Sequence, residues 1–148
     1  RIFGLAFFGD KMHFIDEANK TYKLQELKQF LKEKGVAIFD TALRIRRTTG
    51  TASDKDLEIV EPADLDKMLR SLPECKSILA AGQLATKVFT EHYNIDARKM
   101  KMGEYRTFSF EGRTLKLYRE PSSSRAYPMR VEEKATYYKQ MFKETHIL

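Results

Sequence analysis

The chain has 148 residues, of which 42% are hydrophobic and 32% charged, the balance of an ordinary globular domain. That length suits one domain spanning residues 1–148. A single cysteine, Cys75, excludes an internal disulfide, a Cys-only zinc site and a four-cysteine iron–sulfur cluster within one chain, and no apolar run approaches the roughly 18 residues of a membrane span. No pattern of basic head, apolar run and small-residue cleavage site is present. A reducing, cytoplasmic setting follows as the expectation. The net charge of +6 favours anionic partners, nucleic acid first.

The sequence opens on RIFGLAFF, an apolar stretch that predicts the end of a buried helix, broken at Gly9-Asp10. With no initiator Met and no polar lead, it reads as a chain entered in mid-fold. A polar loop is expected to about Thr21. Leu24, Leu27 and Leu31 then recur at helical spacing among Lys and Glu, which predicts an amphipathic helix capped by Gly35. Val36-Ala37-Ile38-Phe39 is a continuous apolar run, the mark of a strand buried on both faces. Residues 40–61 are turn-prone and polar and predict a long loop. Pro62 opens the next helix, with Leu65, Met68, Leu69 and Leu72 as its stripe.

Ser77–Ala81 predicts a second buried strand, which Gly82 turns into a helix carrying Leu84, Ala85, Val88 and Phe89. Tyr105–Phe110 and Arg113–Arg119 read as strands joined by a tight turn at Glu111-Gly112. EPSSSRAYP follows as a loop. A last helix starts near Val131, with Val131, Ala135, Tyr138 and Phe142 on one face. Strands alternating with helices imply an α/β fold with a mainly parallel sheet.

His13, His92 and His146 lie in separate segments without metal-ligand spacing, so no metal is expected. No serine-hydrolase, P-loop, dinucleotide or zincin motif occurs. Arg44, Arg46 and Arg47 fall at the carboxyl end of the predicted strand 36–39, where α/β sheets bind ligands. They suit phosphate contacts or a solvated basic loop. Asp40 ends the same strand and can face a ligand or cap the loop. Ser53-Asp54 reads as a turn cap. Gly82-Gln83 begins a helix after a buried strand, an ordinary structural turn that also offers free N–H groups to a phosphate.

Pro121-Ser122-Ser123-Ser124-Arg125 is the sharpest feature. Small hydroxyl side chains admit a phosphate closely, proline stiffens the loop, and Arg125 adds charge. By composition alone it is a serine-rich surface loop.

Taken in order, KEKGVAIFDTALRIRR, SILAAGQLATKVF, LKLYREPSSSRAYP and YYKQMF resemble successive pieces of the uracil-DNA glycosylase superfamily. The nearest branch is that of mismatch-specific uracil/thymine-DNA and hypoxanthine-DNA glycosylases. The resemblance implies a three-layer αβα sandwich around a short four-stranded parallel sheet of order 2-1-3-4. It implies a DNA-repair N-glycosylase that flips a damaged base from the duplex and hydrolyses the base–sugar bond. It implies a monomer with DNA as partner, and no cofactor, metal or membrane.

Carried over residue by residue, Pro121–Arg125 becomes the loop that compresses the DNA backbone. Gly82 and Gln83 lie near the backbone or the flipped nucleotide. Arg44, Arg46 and Arg47 are further DNA contacts, and Asp40 is a base-pocket candidate. Glu120 stands where relatives have His, Asn or Leu before Pro-Ser. The family's water-activating Asn or Asp belongs to a signature that this sequence does not match. It and the first strand are expected upstream of Arg1, leaving a strand-wide slot of roughly 10 Å between strands 36–39 and 77–81. The alternatives are a non-catalytic nucleic-acid binder on the same fold and a nucleoside or nucleotide binder.

Overall fold

The computed structural model describes residues 1–39, 64–124 and 126–148 in full and residues 42–47 and 57–62 as backbone. Asp40, Ser53-Asp54 and Arg125 lie outside the described residues. The chain forms two compact units: residues 1–39 with 129–148, and residues 40–128. Among the described residues no helix is long and apolar enough to cross a membrane, and no three His, Cys, Asp or Glu side chains gather as a metal site.

The first unit is built on aromatic rings. Helix α1 (Ile2–Phe8) packs against α5 (Val131–Glu144). Phe3 and Phe7, one helical turn apart, both stack on Phe142, with centroids 5.7 and 5.1 Å away. Of the face predicted for α5, Ala135, Tyr138 and Phe142 are buried and Val131 is half-buried; Met141 is buried as well. α1 stops at Gly9 as expected, and the chain folds back so that Asp10 N–H donates to the Gly4 carbonyl at 3.2 Å. Gly4 has no space for a side chain, since a Cβ there would collide with the Asp10 carbonyl.

Where a loop was expected to Thr21, two short strands pair antiparallel, β1 (Ile15–Asp16) and β2 (Thr21–Tyr22). Helix α2 (Leu24–Lys34) follows and ends at Gly35. Its buried residue is Phe30; Leu27 and Leu31 are half-buried, and Leu24 is 52% exposed. The ring of Phe30 meets Phe7 edge-on at 4.8 Å and Phe14 at 5.2 Å, so an aromatic anchors this helix in place of the leucine stripe.

Val36–Phe39 is not a strand, which corrects the sequence reading. Ile38 is 63% and Phe39 53% exposed. An apolar run becomes a strand only when another backbone pairs with it, and none does among the described residues. The expected slot between 36–39 and 77–81 therefore lacks one of its two walls.

The second unit contains a hairpin and a mixed sheet. The expected long loop over 40–61 instead holds β3 (Ala42–Arg47) and β4 (Leu57–Pro62), paired antiparallel. The backbone register sets Arg46 opposite Glu58 and Arg44 opposite Glu61. Pro62 thus closes a strand rather than opening a helix. Helix α3 (Leu65–Arg70) starts later, capped by Asp64, whose carboxylate accepts from Lys67 N–H at 3.0 Å.

β5 (Ser77–Ala81), β6 (Tyr105–Phe110) and β7 (Arg113–Glu120) form a three-stranded sheet of order β5-β7-β6. β5 runs parallel to β7 and β6 antiparallel to it. The fold is mixed α/β. The β6–β7 turn is at Glu111-Gly112 as expected, both with positive φ. α3 and α4 (Gln83–His92) supply Leu65, Leu69 and Phe89 to the sheet's core of Ala80, Phe108, Phe110, Leu115 and Leu117.

Arg113 ties the sheet to α3. Its guanidinium donates to the carbonyls of Leu69 at 2.8 Å and Leu72 at 2.9 Å, which also accept the backbone N–H groups of Leu72 and Cys75. Asp66 ties α3 to α4. Its Oδ1 accepts from the Tyr93 hydroxyl at 2.8 Å and lies 3.0 Å from His92 Nε2. The His92 and Tyr93 contacts hold the Asp66 carboxyl below its usual range.

Two outcomes follow. Gly4→Ala should lower stability by about 1–3 kcal/mol through overpacking against Asp10, seen as a reduced denaturant midpoint. Because Asp66 ionises more readily folded than unfolded, its ionisation favours the folded state. That contribution is complete above about pH 5 and is lost as pH falls through the folded pKa. Asp66→Asn should therefore be less stable than wild type at neutral pH and converge with it in acid, measured by thermal unfolding across pH.

Candidate nucleic-acid interface at the carboxyl end of the parallel strands

The parallel register of β5 and β7 pairs Ala81 with Glu120, so both strands finish at the same level. The next backbone bond extends the ladder by one step, with Gly82 N–H donating to the Glu120 carbonyl at 2.9 Å. Beyond it the two chains part. One enters α4 and the other enters the serine loop. Gly82 is thereby brought beside Glu120, where the serine loop begins, although the two lie 38 positions apart in sequence.

Gly82 makes the turn with φ 100° and ψ 169°, a conformation essentially confined to glycine. Thr86 fixes the first turn of α4, where its hydroxyl donates to the Gly82 carbonyl at 2.9 Å. No side chain caps this helix start, and no acidic residue lies in its first turn. The first turn of α4 thus brings no carboxylate of its own to its leading N–H groups and the positive end of the helix dipole.

The loop is less exposed than its composition suggests. Pro121 is fully buried and Ser122 is 6% exposed; Ser123 is exposed and Ser124 half-buried. The serines brace the loop. Ser122 Oγ accepts from Ser124 N–H and Ser124 Oγ accepts from Ala126 N–H, each at 3.2 Å. These two contacts order the loop.

Glu120 is buried at 1% exposure at the end of β7. Its sequence neighbour Arg119 points to the other face, as alternation along a strand requires, and donates to the Met100 carbonyl at 2.5 Å.

A third segment reaches this edge. Gly103 N–H donates to the Arg119 carbonyl at 2.7 Å, and Arg119 N–H to the Glu104 carbonyl at 3.0 Å. The preceding turn carries Arg98, Lys99 and Lys101, all exposed. Arg98 is held by Asp96 through two guanidinium contacts of 3.0 and 2.8 Å. Lys99 and Lys101 were not among the candidates drawn from the sequence, although the run RKMK carries the signal.

Arg44, Arg46 and Arg47 belong to β3, in a sheet separate from β5-β7-β6. Their placement at the mouth of a strand 36–39 fails because that strand does not form. Asp40 and Arg125 lie outside the described residues.

In comparison with known proteins, no protein-family model, curated protein or solved structure matches the chain.

Gly82→Ala should cost about 1–3 kcal/mol, because the new side chain must be held in a strained backbone region or the α4 start must shift. Equilibrium unfolding measures the loss.

Proposed function

We propose that this chain is a DNA N-glycosylase of the uracil-DNA glycosylase superfamily, removing a uracil-, thymine- or hypoxanthine-type base. The observation that carries the reading is the Gly82–Glu120 bond, at which α4 and the serine loop both begin. Two kinds of phosphate donor then converge on one sheet edge. One is the uncapped helix start and the other is the hydroxyl loop. The adjacent, parallel β5 and β7 are what strands 3 and 4 of a 2-1-3-4 sheet would be, and that finer order is part of the proposal.

The chemistry explains why such an edge is needed. The base–sugar bond is inaccessible inside the stack, so the nucleotide must be swung out at a cost of a few kcal/mol. A rigid loop that grips the flanking phosphates offsets part of that cost. In the reaction, water oxygen bonds to C1′ of the sugar as the C1′–N bond breaks. The bond's electron pair leaves with the base, which ends with the proton that the water loses, and the transition state carries positive charge on the sugar. The residues assigned here bind the backbone: Ser122, Ser123, Ser124 and Arg125 on the loop, Gly82 and Gln83 on the helix, Lys99 and Lys101 on the neighbouring turn. The water-activating role is assigned to no residue of 1–148.

Duplex affinity measured by fluorescence anisotropy over a salt series tests the interface. Binding should weaken linearly in log–log form as salt rises. Arg125→Ala should weaken binding regardless of sequence and reduce the slope by about one. Ser123→Asp places a carboxylate on the exposed loop position and should weaken binding about tenfold by repelling phosphate. Salt-independent binding, or affinities unchanged by both substitutions, would remove this face from the reading.

A further inference from the structure

One side of α2 differs in chemistry from the rest of this basic chain. Gln25, Gln29 and Glu33 recur every fourth residue, with Glu26 and Phe30 on the adjoining row. With Phe8, His13 and Phe14 they line an open cavity of about 410 Å³, wholly within the first unit. That volume is in the range of small-ligand sites. No lysine or arginine lines it among the described residues, although the chain carries a net charge of +6.

Its walls are aromatic. Phe8 lies flat on His13, with centroids 3.8 Å apart, and remains 48% exposed. Phe14 meets His13 edge-on at 4.6 Å and Phe30 at 5.2 Å. The faces of phenyl rings carry the negative part of the quadrupole and attract cations. The same cluster already holds one, since Lys34 Nζ sits 5.5 Å over the ring of Phe7.

The rim adds two carboxylates. Glu33 accepts from Gln29 Nε2 at 3.1 Å, while the Glu26 carboxylate has no hydrogen bond or ion pair among the described residues. A nucleic acid is repelled by such a rim. A planar cation that stacks on an aromatic face and bonds a carboxylate at its edge matches both features, and guanidinium is that group. The lining side of α2 runs about 12 Å from Gln25 to Glu33, the length of a short extended peptide.

We infer that this cavity binds an arginine side chain presented by an extended basic segment of a partner protein. The inference stands apart from the DNA reading and survives its failure.

Titration of the 148-residue chain with the tripeptide acetyl-Gly-Arg-Gly-amide, followed by NMR, tests it. The amide signals of His13, Gln29 and Phe30 should move. The citrulline tripeptide keeps the shape but not the charge and should bind at least about threefold more weakly. Glu26→Gln, at an exposed position whose loss leaves the fold intact, should weaken the arginine peptide by about threefold. Phe8→Ala should weaken it similarly. Equal binding of the arginine and citrulline peptides overturns the inference, as does the absence of shifts at the cavity. Concentration-dependent shifts of the same signals without peptide, abolished by Glu26→Gln, would give the cavity to a second copy of this chain and likewise overturn it.

Discussion

The parallel ladder between β5 and β7, and the Gly82–Glu120 bond that ends it, is the constraint on which the candidate interface depends. A parallel pair brings two strand ends to one level, so the segments that follow them start side by side. Here one is a helix start without a side-chain cap and the other a loop braced by its own serines. Neither has much meaning alone. Helix starts are common, and serine-rich loops are common. Their common start at one backbone bond is what the proposed interface rests on.

The interior of each unit supports a distinct surface. In the second unit, α3 and α4 cover one face of the sheet, and Arg113 and Asp66 lock them through hydrogen bonds at helix ends. That leaves the carboxyl-end edge positioned on rigid elements. In the first unit, the stack of Phe3 and Phe7 on Phe142 fixes α1 against α5, and Phe30 brings α2 onto the same aromatic cluster. The outer side of that cluster, unlike its inner side, is rimmed by carboxylates. The two proposed sites thus call for opposite charges, phosphate at one and a cation at the other.

Local chemistry made some of this legible in the sequence. α5 follows from its helical stripe, and the β6–β7 turn from Glu111-Gly112, because both signals are contained within a few residues. α2 was placed correctly but on the wrong anchor, since leucine spacing says nothing about which aromatic rings await it. β3 and β4 were hidden because Arg44, Arg46, Glu58 and Glu61 read as solvated loop chemistry, while the register that sets them opposite one another is non-local. Val36–Phe39 failed in the other direction, since an apolar run carries no information about a pairing partner. At the interface, Gly82 and Pro121–Ser124 could each be named in advance. Their adjacency could not, because it requires two segments far apart in sequence to pair. The burial of Pro121 and Ser122 was likewise a tertiary fact.

The glycosylase reading is tested most directly by base release. The protein would be incubated with end-labelled duplexes carrying uracil, hypoxanthine or a G·T mismatch, followed by alkali to cleave abasic sites. Strand breaks at the damaged position in at least one of these duplexes, absent from the undamaged control and reduced by Ser123→Asp, are the predicted result. Intact strands with every substrate, under conditions where the protein binds the duplex, would contradict it and leave a DNA-binding protein without this activity.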